Sequence, residues 1–230
     1  MAKGFFITGS GTNVGKTYIS ALLVKGLIEL GRKVTYMKPV ETGCSENGKD
    51  NLGADARYVL GFTECKTDAG LHSPYLFDPA CSPHLAARMA NREICIDNII
   101  SAYENLNKNT SADITIVEGA GGLLVPINDN NEYVADMIKA LAIPAIVVTD
   151  PGLGTLNHTF MSLRTLERYG IPVIGVVINN ARGIERDFIY EDNAATISRH
   201  VLPLPCLDVD YRNLSDKHLA GFCNEITSRV

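Results

Sequence analysis

Five short runs of apolar, β-branched residues recur along the chain, and they predict the strands of a buried sheet. The runs cover residues 4–8, 33–37, 113–117, 145–149 and 173–178. The residues in each run are predominantly apolar on both faces, which is typical of strands that helices cover on both sides. The hydrophobic pattern therefore predicts a sheet in the middle of the fold.

Helical patterns separate these runs. The first helix is predicted over residues 16–30 and ends at Gly31, because glycine is favoured just past the last helical turn. Further helices are predicted over residues 132–142 and 155–169, and residues 39–112 predict a mostly helical excursion with weak strand signals. Strands that alternate with helices form right-handed crossovers, so we expect an α/β fold with a mostly parallel, doubly wound sheet.

Composition limits the class of protein. With 230 residues, 46% of them hydrophobic, and no linker or repeat, we expect one domain over residues 1–230. A net charge of −5 disfavours a nucleic-acid surface, and no apolar run is long enough to span a bilayer. The amino terminus lacks the apolar core and cleavage site of a signal peptide. We therefore expect a cytoplasmic protein with no membrane or nucleic-acid partner.

Six cysteines lie at positions 44, 65, 81, 95, 206 and 223, and no two of them form a CxxC pair. This spacing indicates neither a zinc ribbon nor a redox dithiol. Scattered cysteines in a reducing compartment usually pack as small apolar side chains, and we expect that role here.

The first predicted strand runs into a glycine-rich loop, GSGTNVGKT at residues 9–17. Such a loop, at the carboxyl end of a strand and opening a helix, offers backbone N–H groups and a helix dipole to phosphates. Lys16 would contact the β- and γ-phosphates, and Thr17 would coordinate Mg²⁺. Five residues separate Gly9 from Gly15 where the usual motif has four, so the loop is a lengthened variant. A simple glycine-rich helix cap is the alternative.

Three more charged residues are candidates for the same site. Glu118 follows the strand at 113–117 and opens the run EGAGG, so its carboxylate suits a Mg²⁺ ligand. Lys38 ends the second strand at the same sheet edge as Lys16, and two lysines suit a reaction that accumulates negative charge. Asp55 lies near a helix start. A solvated strand end, a surface lysine and a helix-dipole partner remain the alternatives for these three residues.

Five segments together resemble the dethiobiotin synthetase family. They are the loop 9–17, KPVETG at 38–43, Asp55, EGAGG at 118–122 and GTLNHT at 154–159. The resemblance implies a P-loop NTPase fold, with Mg²⁺ as cofactor and ATP as cosubstrate. It implies that 7,8-diaminononanoate, CO₂ and ATP become dethiobiotin, ADP and phosphate in biotin synthesis. A carbamate would form first, be phosphorylated to a carbamic-phosphoric anhydride, and then close the ureido ring.

The same resemblance implies a role for each matching residue. Catalysis would involve Lys38, Lys16 and Thr12, and the metal would be held by Thr17, Asp55 and Glu118. The substrate would contact Thr42, Lys38, Gly154, Thr155, Leu156 and Asn157. The last four residues would reach the substrate's carboxylate from a partner subunit, which implies a homodimer with the site at its interface. A plain helix start at Thr155 is the alternative.

The base of the nucleotide would be contacted further along the chain. Guanine-selective P-loop proteins usually carry NKxD after this strand, whereas residues 179–182 read NNAR, which disfavours GTP. The residues implied to bind ATP are Asn13, Val14, Gly15, Lys16, Thr17, Tyr18, Asp55, Glu118, Gly119, Ala120, Gly121, Asn179, Asn180, Pro205, Cys206 and Leu207. Gly11 and Asn13 replace acidic residues of some family members.

Two other functions fit the fold less well. An amide-forming ligase such as the ATP-binding part of cobyrinic acid diamide synthase usually needs a glutaminase domain, for which 230 residues leave no room. A switch ATPase of the MinD/ParA type carries a lysine five residues before the main one, where this chain has Gly11. Such proteins often end in a basic membrane helix, and residues 217–230 match one poorly.

Overall fold

The structure of the protein is a computed structural model that describes residues 3–44, 52–64, 67–211 and 215–230. Its strands are β1 (Lys3–Gly9), β2 (Val34–Met37), β3 (Val40–Thr42), β4 (Tyr75–Phe77), β5 (Ile114–Gly122), β6 (Ala145–Thr149), β7 (Val173–Asn179) and β8 (Cys206–Val209). Six of them form a parallel sheet in the order β2-β5-β1-β6-β7-β8, while β3 and β4 form a separate parallel pair. This confirms the predicted α/β fold with a parallel sheet.

Helices connect the strands and cover both faces of the large sheet. Those in the described residues are α1 (Lys16–Glu29), α2 (Ala54–Leu60), α3 (Ala69–His72), α4 (Pro83–Met89), α5 (Ile96–Thr110), α6 (Val134–Leu141), α7 (Thr155–Tyr169), α8 (Phe188–Val201) and α9 (Asp216–Thr227). In its described residues, the segment between β2 and β5 contains four of these helices and the two short strands of the small sheet. The predicted helical excursion is therefore confirmed.

Side-chain alternation along the strands divides the core into two layers. Phe5 and Ile7 of β1 pack in the cluster that contains apolar residues of α1 and α9, whereas Phe6 packs in the cluster that contains residues of α5 and α6. All three side chains are fully buried. Because both faces of the strand are covered, an uninterrupted apolar run is the sequence expected there.

The same alternation places the polar residues at the carboxyl edge of the sheet. Ile116 of β5 lies in the α1 layer and is paired with Tyr36 of β2. Glu118 is two residues beyond Ile116, and Lys38 is two residues beyond Tyr36. Because side chains repeat every second residue in a strand, Glu118 and Lys38 project from the same face toward α1.

The structure differs from the predicted elements at the strands β5 and β8 and at the helices α8 and α9. β5 continues through Gly122, past its predicted end at residue 117, because Gly122 pairs with Gly9 of β1 after a register shift. The strand β8 was not predicted, since it has only four residues and Asp208 interrupts its apolar pattern. The helices α8 and α9 were not predicted either.

Two absences apply to the described part of the chain. No helix there is long and apolar enough to cross a membrane. The cysteines described, at positions 44, 81, 95, 206 and 223, are free thiols, and Cys65 lies outside the described residues. Cys223 is fully buried against Gly26, as expected for a small apolar side chain.

Candidate active site

The loop between β1 and α1 has a conformation that its glycines permit. Gly15 has a φ of +84°, and a Cβ atom there would lie 2.2 Å from Nδ2 of Asn179, so only glycine fits. Nδ2 of Asn179 donates a hydrogen bond to the Val14 carbonyl at 2.8 Å. Nζ of Lys16 donates to the Gly11 carbonyl at 3.0 Å, and Lys16 is 7% exposed. The loop is therefore held from β7 and folded around its lysine.

A buried carboxylate, Glu118, is the centre of a hydrogen-bond network beside this loop. Its Oε1 accepts from Oγ1 of Thr17 at 2.8 Å and from Nζ of Lys38 at 2.5 Å. Its Oε2 accepts from Oγ of Ser20 at 2.7 Å and from the hydroxyl of Tyr36 at 2.8 Å. Glu118 is fully buried, and four donors satisfy it, as a buried charge requires.

Lys38 joins two carboxylates. In addition to Glu118, its ammonium donates to Oδ2 of Asp55 at 2.7 Å. The Lys38 side chain is 5% exposed, whereas that of Asp55 is 41% exposed, so the pair with Asp55 faces the solvent side of the site. The structure thus brings Lys38, Asp55, Glu118 and Thr17 together, although they lie in four different segments of the sequence.

Asp55 is held in place by a carboxylate that the sequence did not single out. Oε1 and Oε2 of Glu41 accept from the backbone N–H groups of Asp55 and Ala56 at 2.8 and 3.3 Å. These N–H groups belong to the first turn of α2, where no side chain of the N-cap residue Gly53 can bond them. A Cβ atom on Gly53 would lie 2.1 Å from the Glu41 carboxylate, so the approach requires glycine there.

The two lysines are in contrasting electrostatic surroundings. Burial, with the nearby charge of Lys38, lowers the pKa of Lys16 from 10.5 to about 8. Burial also opposes the charge of Lys38, but the carboxylates of Glu118 and Asp55 outweigh it and raise the pKa of Lys38 above its usual range. Lys38 is therefore held in its charged form, while Lys16 has no carboxylate in direct contact among the described residues and gains stabilisation from an added anion.

Three oxygen atoms of this network, two of them in contact with the Lys38 ammonium, fit a divalent cation. Oδ2 of Asp55 and Oε1 of Glu118 lie within 2.7 Å of Nζ, and Oγ1 of Thr17 is 2.8 Å from the same Oε1. Two carboxylates and a hydroxyl, all hard oxygen donors, suit Mg²⁺ completed by phosphate and water. The Lys38 ammonium already lies against both carboxylates, which shows that these oxygens attract positive charge. The assignment of these three residues as metal ligands remains a prediction.

A cavity of about 840 Å³ opens over this network. Its lining includes the predicted residues Thr12, Asn13, Gly15, Lys16, Thr17, Lys38, Thr42, Asp55, Glu118, Gly119, Ala120 and Gly121. A second wall that was not predicted comes from residues 80–83, which lead from β4 into the first residue of α4, together with Val125. Val14 and Tyr18 do not line the cavity: Val14 is buried, and Tyr18 packs against the apolar α1 layer.

The side chains of Asn179 and Asn180, predicted to contact the base, already have hydrogen-bond partners within the protein. The amide of Asn179 already donates to the Val14 carbonyl, so it supports the loop. Asn180 is 2% exposed; it accepts from the Ile184 backbone N–H and donates to the Ile184 carbonyl and to Asp210. Both asparagines therefore lie at the carboxyl edge of the sheet, but their amides are hydrogen-bonded to backbone and side-chain partners.

The prediction for Pro205, Cys206 and Leu207 requires a correction. Cys206 and Leu207 belong to β8 and pair with Val176 and Val177, and Pro205 precedes the strand, so all three lie away from its carboxyl end. Ligands of parallel sheets bind at the carboxyl ends, where Val209 pairs with Asn179. The residues that follow, Asp210 and Tyr211, occupy that edge instead. The ring of Tyr211 lies beside Gly183, where a Cβ would be 3.1 Å from it.

The segment from Gly154 to Asn157 begins α7 at the carboxyl end of β6, about one strand away from the phosphate loop. Thr155 is 2% exposed, and its hydroxyl meets Oγ1 of Thr149 at 2.9 Å, which in turn meets Oγ of Ser10 at 2.9 Å. This hydroxyl chain connects the start of α7 to the loop. Leu156 packs against the core, whereas Gly154 and Asn157 are exposed and do not line the cavity.

The comparisons with known proteins agree on a family. The family described as an AAA domain matches residues 3–207. ATP-dependent dethiobiotin synthetase BioD of Clostridium botulinum, strain Loch Maree, is 35% identical over 232 residues, which covers 98% of this chain and 100% of that protein. The protein of the same name from Thermodesulfovibrio yellowstonii is 34% identical and covers 91% of this chain and 88% of its own length.

Similar solved structures share the fold at lower identity. The cell division ATPase MinD of Pyrococcus furiosus has a TM-score of 0.59 with 18% identity and full coverage of both chains. The septum site-determining protein MinD of Pyrococcus horikoshii, complexed with Mg-ADP, has a TM-score of 0.56 with 19% identity, covering 100% of this chain and 90% of its own. These similarities establish the P-loop fold only. By its matching relatives along nearly its whole length, the chain belongs to the family of ATP-dependent dethiobiotin synthetases, which are ligases.

Proposed function

We propose that this chain converts 7,8-diaminononanoate, CO₂ and ATP into dethiobiotin, ADP and phosphate. The observation that supports it most is the ammonium of Lys38, held between Glu118 and Asp55 beside the phosphate loop. The names of the relatives supply the product, and the cavity of about 840 Å³ has room for a phosphate chain and a small diamine. A homodimer in the cytoplasm remains our prediction.

The proposed reaction begins with two anions that repel each other. One amine of the diamine captures CO₂ and loses a proton, giving a carbamate, and a carbamate oxygen attacks the γ-phosphorus of ATP, which releases ADP. Lys16 and Lys38 line the same cavity, and both offset this repulsion. Mg²⁺ held by Thr17, Asp55 and Glu118 would neutralise phosphate charge.

Ring closure follows on the activated carbonyl. The second amine attacks the carbon of the carbamic-phosphoric anhydride, the C–O bond to phosphate breaks, and phosphate leaves with the electron pair. The ureido ring is complete once that amine loses a proton. Thr12 and Thr42 line the cavity from the loop and from β3, which supports a role for their hydroxyls in orienting the carbamate. Water would compete with the amine by hydrolysing the anhydride, so the protein must shield the anhydride from solvent.

The test is ADP release from purified protein with Mg-ATP. We expect release that requires both the diamine and bicarbonate, with one dethiobiotin formed per ADP as measured by mass spectrometry. Slow ATP hydrolysis that is indifferent to the diamine would contradict the proposal.

The proposed carbamate step can be tested separately by following the oxygen atoms of CO₂. One oxygen of the released phosphate should come from CO₂, because the carbamate oxygen stays with phosphorus when the C–O bond breaks. A single turnover with ¹⁸O-labelled CO₂, quenched before the label exchanges with water, should therefore give ¹⁸O-labelled phosphate. Unlabelled phosphate together with labelled dethiobiotin would argue against this step.

A further inference from the structure

The two oxygens of Glu118 face different kinds of partner. Oε1 contacts Thr17 and the Lys38 ammonium at the cavity, whereas the hydrogen bonds to Oε2 within the described residues come only from the hydroxyls of Ser20 and Tyr36. Tyr36 is fully buried, and so is Ser20. The carboxylate therefore has one oxygen directed at the cation position and one oxygen anchored inside the protein.

The hydrogen bond from Tyr36 to Oε2 of Glu118 follows from the register of β2 and β5. Tyr36 pairs with Ile116, so its side chain and that of Glu118 project from the same face and meet below the cavity. Ser20 reaches the same oxygen from α1, one helical turn beyond Lys16 and Thr17. Tyr36 does not line the cavity, so its hydroxyl can act on the reaction only through Glu118.

A carboxylate on a two-carbon stem has several rotamers, and rotation about its last bond exchanges its oxygens. Two fixed hydroxyl donors on Oε2 remove that freedom, because any rotation would break both hydrogen bonds inside the protein. Partners behind a metal ligand generally fix its orientation and tune its affinity. In this site the hydroxyls are neutral, so they orient the carboxylate without cancelling its charge.

We propose that Tyr36 is a positioning residue for the metal-binding carboxylate: with Ser20, it holds Oε2 of Glu118 so that Oε1 faces the cation. The inference rests on the proposed role of Glu118 toward Mg²⁺. It assigns a function to a tyrosine that lies in an apolar strand and that would otherwise serve only as core packing.

The test measures metal binding, without turnover. A fluorescent ADP analogue is titrated into the protein, first in EDTA and then at rising Mg²⁺, to give the nucleotide affinity without metal and the half-saturating Mg²⁺ concentration. For Tyr36→Phe we expect the half-saturating Mg²⁺ concentration to rise by roughly 10-fold, as for other residues behind a metal ligand. The nucleotide affinity in EDTA should be unchanged, since Tyr36 does not line the cavity.

A matched control is Tyr103→Phe. Tyr103 is also a buried tyrosine, but its hydroxyl lies near Gly4 at the amino end of β1, remote from the phosphate loop. Its removal should leave the half-saturating Mg²⁺ concentration unchanged. Ser20→Ala removes the other donor to Oε2 and should shift that concentration in the same direction as Tyr36→Phe, which keeps the test available if the tyrosine variant does not fold.

Two results would overturn the inference in distinguishable ways. If Mg²⁺ strengthens nucleotide binding in the unaltered protein but Tyr36→Phe and Ser20→Ala respond to Mg²⁺ as it does, the positioning role is wrong and the metal site stands. If Mg²⁺ has no effect on nucleotide binding even in the unaltered protein, the metal assignment itself fails, and the positioning role fails with it.

Discussion

Replacing Lys38 with methionine should destabilise the protein measurably even without nucleotide or metal. Lys38 is the only cation in contact with Glu118 in the described residues, and Glu118 is fully buried. Removing one partner of a buried ion pair costs about 3–5 kcal/mol, because the other charge stays buried and uncompensated. Three hydroxyl donors remain on Glu118, from Thr17, Ser20 and Tyr36, so we expect a value near the lower end.

The expected loss corresponds to a large shift in melting temperature. For a chain of this size, 1 kcal/mol shifts Tm by about 2–4 °C, so a loss near 3 kcal/mol lowers Tm by roughly 6–12 °C. The contact with Asp55 adds little, because the Asp55 side chain is 41% exposed. Differential scanning fluorimetry in EDTA measures the shift.

Two further variants separate this cause from a general loss of packing. Arg88→Met breaks the ion pair with Asp129, whose side chains are 59% and 58% exposed, and should cost less than about 1 kcal/mol. Adding Glu118→Gln to Lys38→Met removes the uncompensated charge and should recover part of the lost Tm. A Lys38→Met protein that melts within about 2 °C of the unaltered one would refute the ion-pair reasoning.

Three more variants test other parts of the site. Lys16→Met should abolish nucleotide binding yet raise Tm at pH 7. The pKa of Lys16 is lowered to about 8 in the folded state, which means that folding disfavours its charged form. The resulting loss of folding stability is complete below pH 8 and disappears as the pH rises toward 10.5, so the gain in Tm from Lys16→Met should disappear over the same range. A pH series of Tm tests this, and a constant difference across the series would refute it. Glu41→Ala should loosen the start of α2 and raise the KM for Mg-ATP more than it lowers kcat, because Glu41 acts through Asp55. Steady-state kinetics measure both constants, and an unchanged KM would refute this role. Mixing Asn157→Ala with Lys16→Met subunits should restore activity through one intact site per mixed dimer, and no recovery after confirmed subunit exchange would refute a shared site.

The sequence predicted the residues that local pattern identifies. The phosphate loop, Lys38 and Glu118 each follow an apolar run, and parallel strands bring their carboxyl ends to one edge. Tyr36, Ser20 and Glu41 were not predicted, because their partners depend on distant pairings. The contact of Tyr36 requires the register with Ile116, and that of Glu41 requires the backbone of α2, 14 residues further along the chain.

The base-contacting residues show how a short strand misleads. The family resemblance matched residues 205–207 to a base-contacting loop, but Cys206 and Leu207 begin β8 and pair with β7, and Pro205 precedes that strand. The exposed edge begins about three residues later, at Asp210. Asn179 ends β7 at the carboxyl edge of the sheet, yet its amide supports Val14, a contact that joins residues 165 positions apart. Neither fact has a signal in the local sequence.

In the reaction that we propose, the chain joins CO₂ to a diamine at the expense of ATP. The most direct measurement supplies ¹³C-labelled bicarbonate, 7,8-diaminononanoate and Mg-ATP and examines the product by mass spectrometry and ¹³C NMR. We expect dethiobiotin one mass unit heavier, with the label in the ureido carbonyl and in an amount equal to the ADP released. This product should be absent with Lys38→Met. ADP released without labelled dethiobiotin would contradict it.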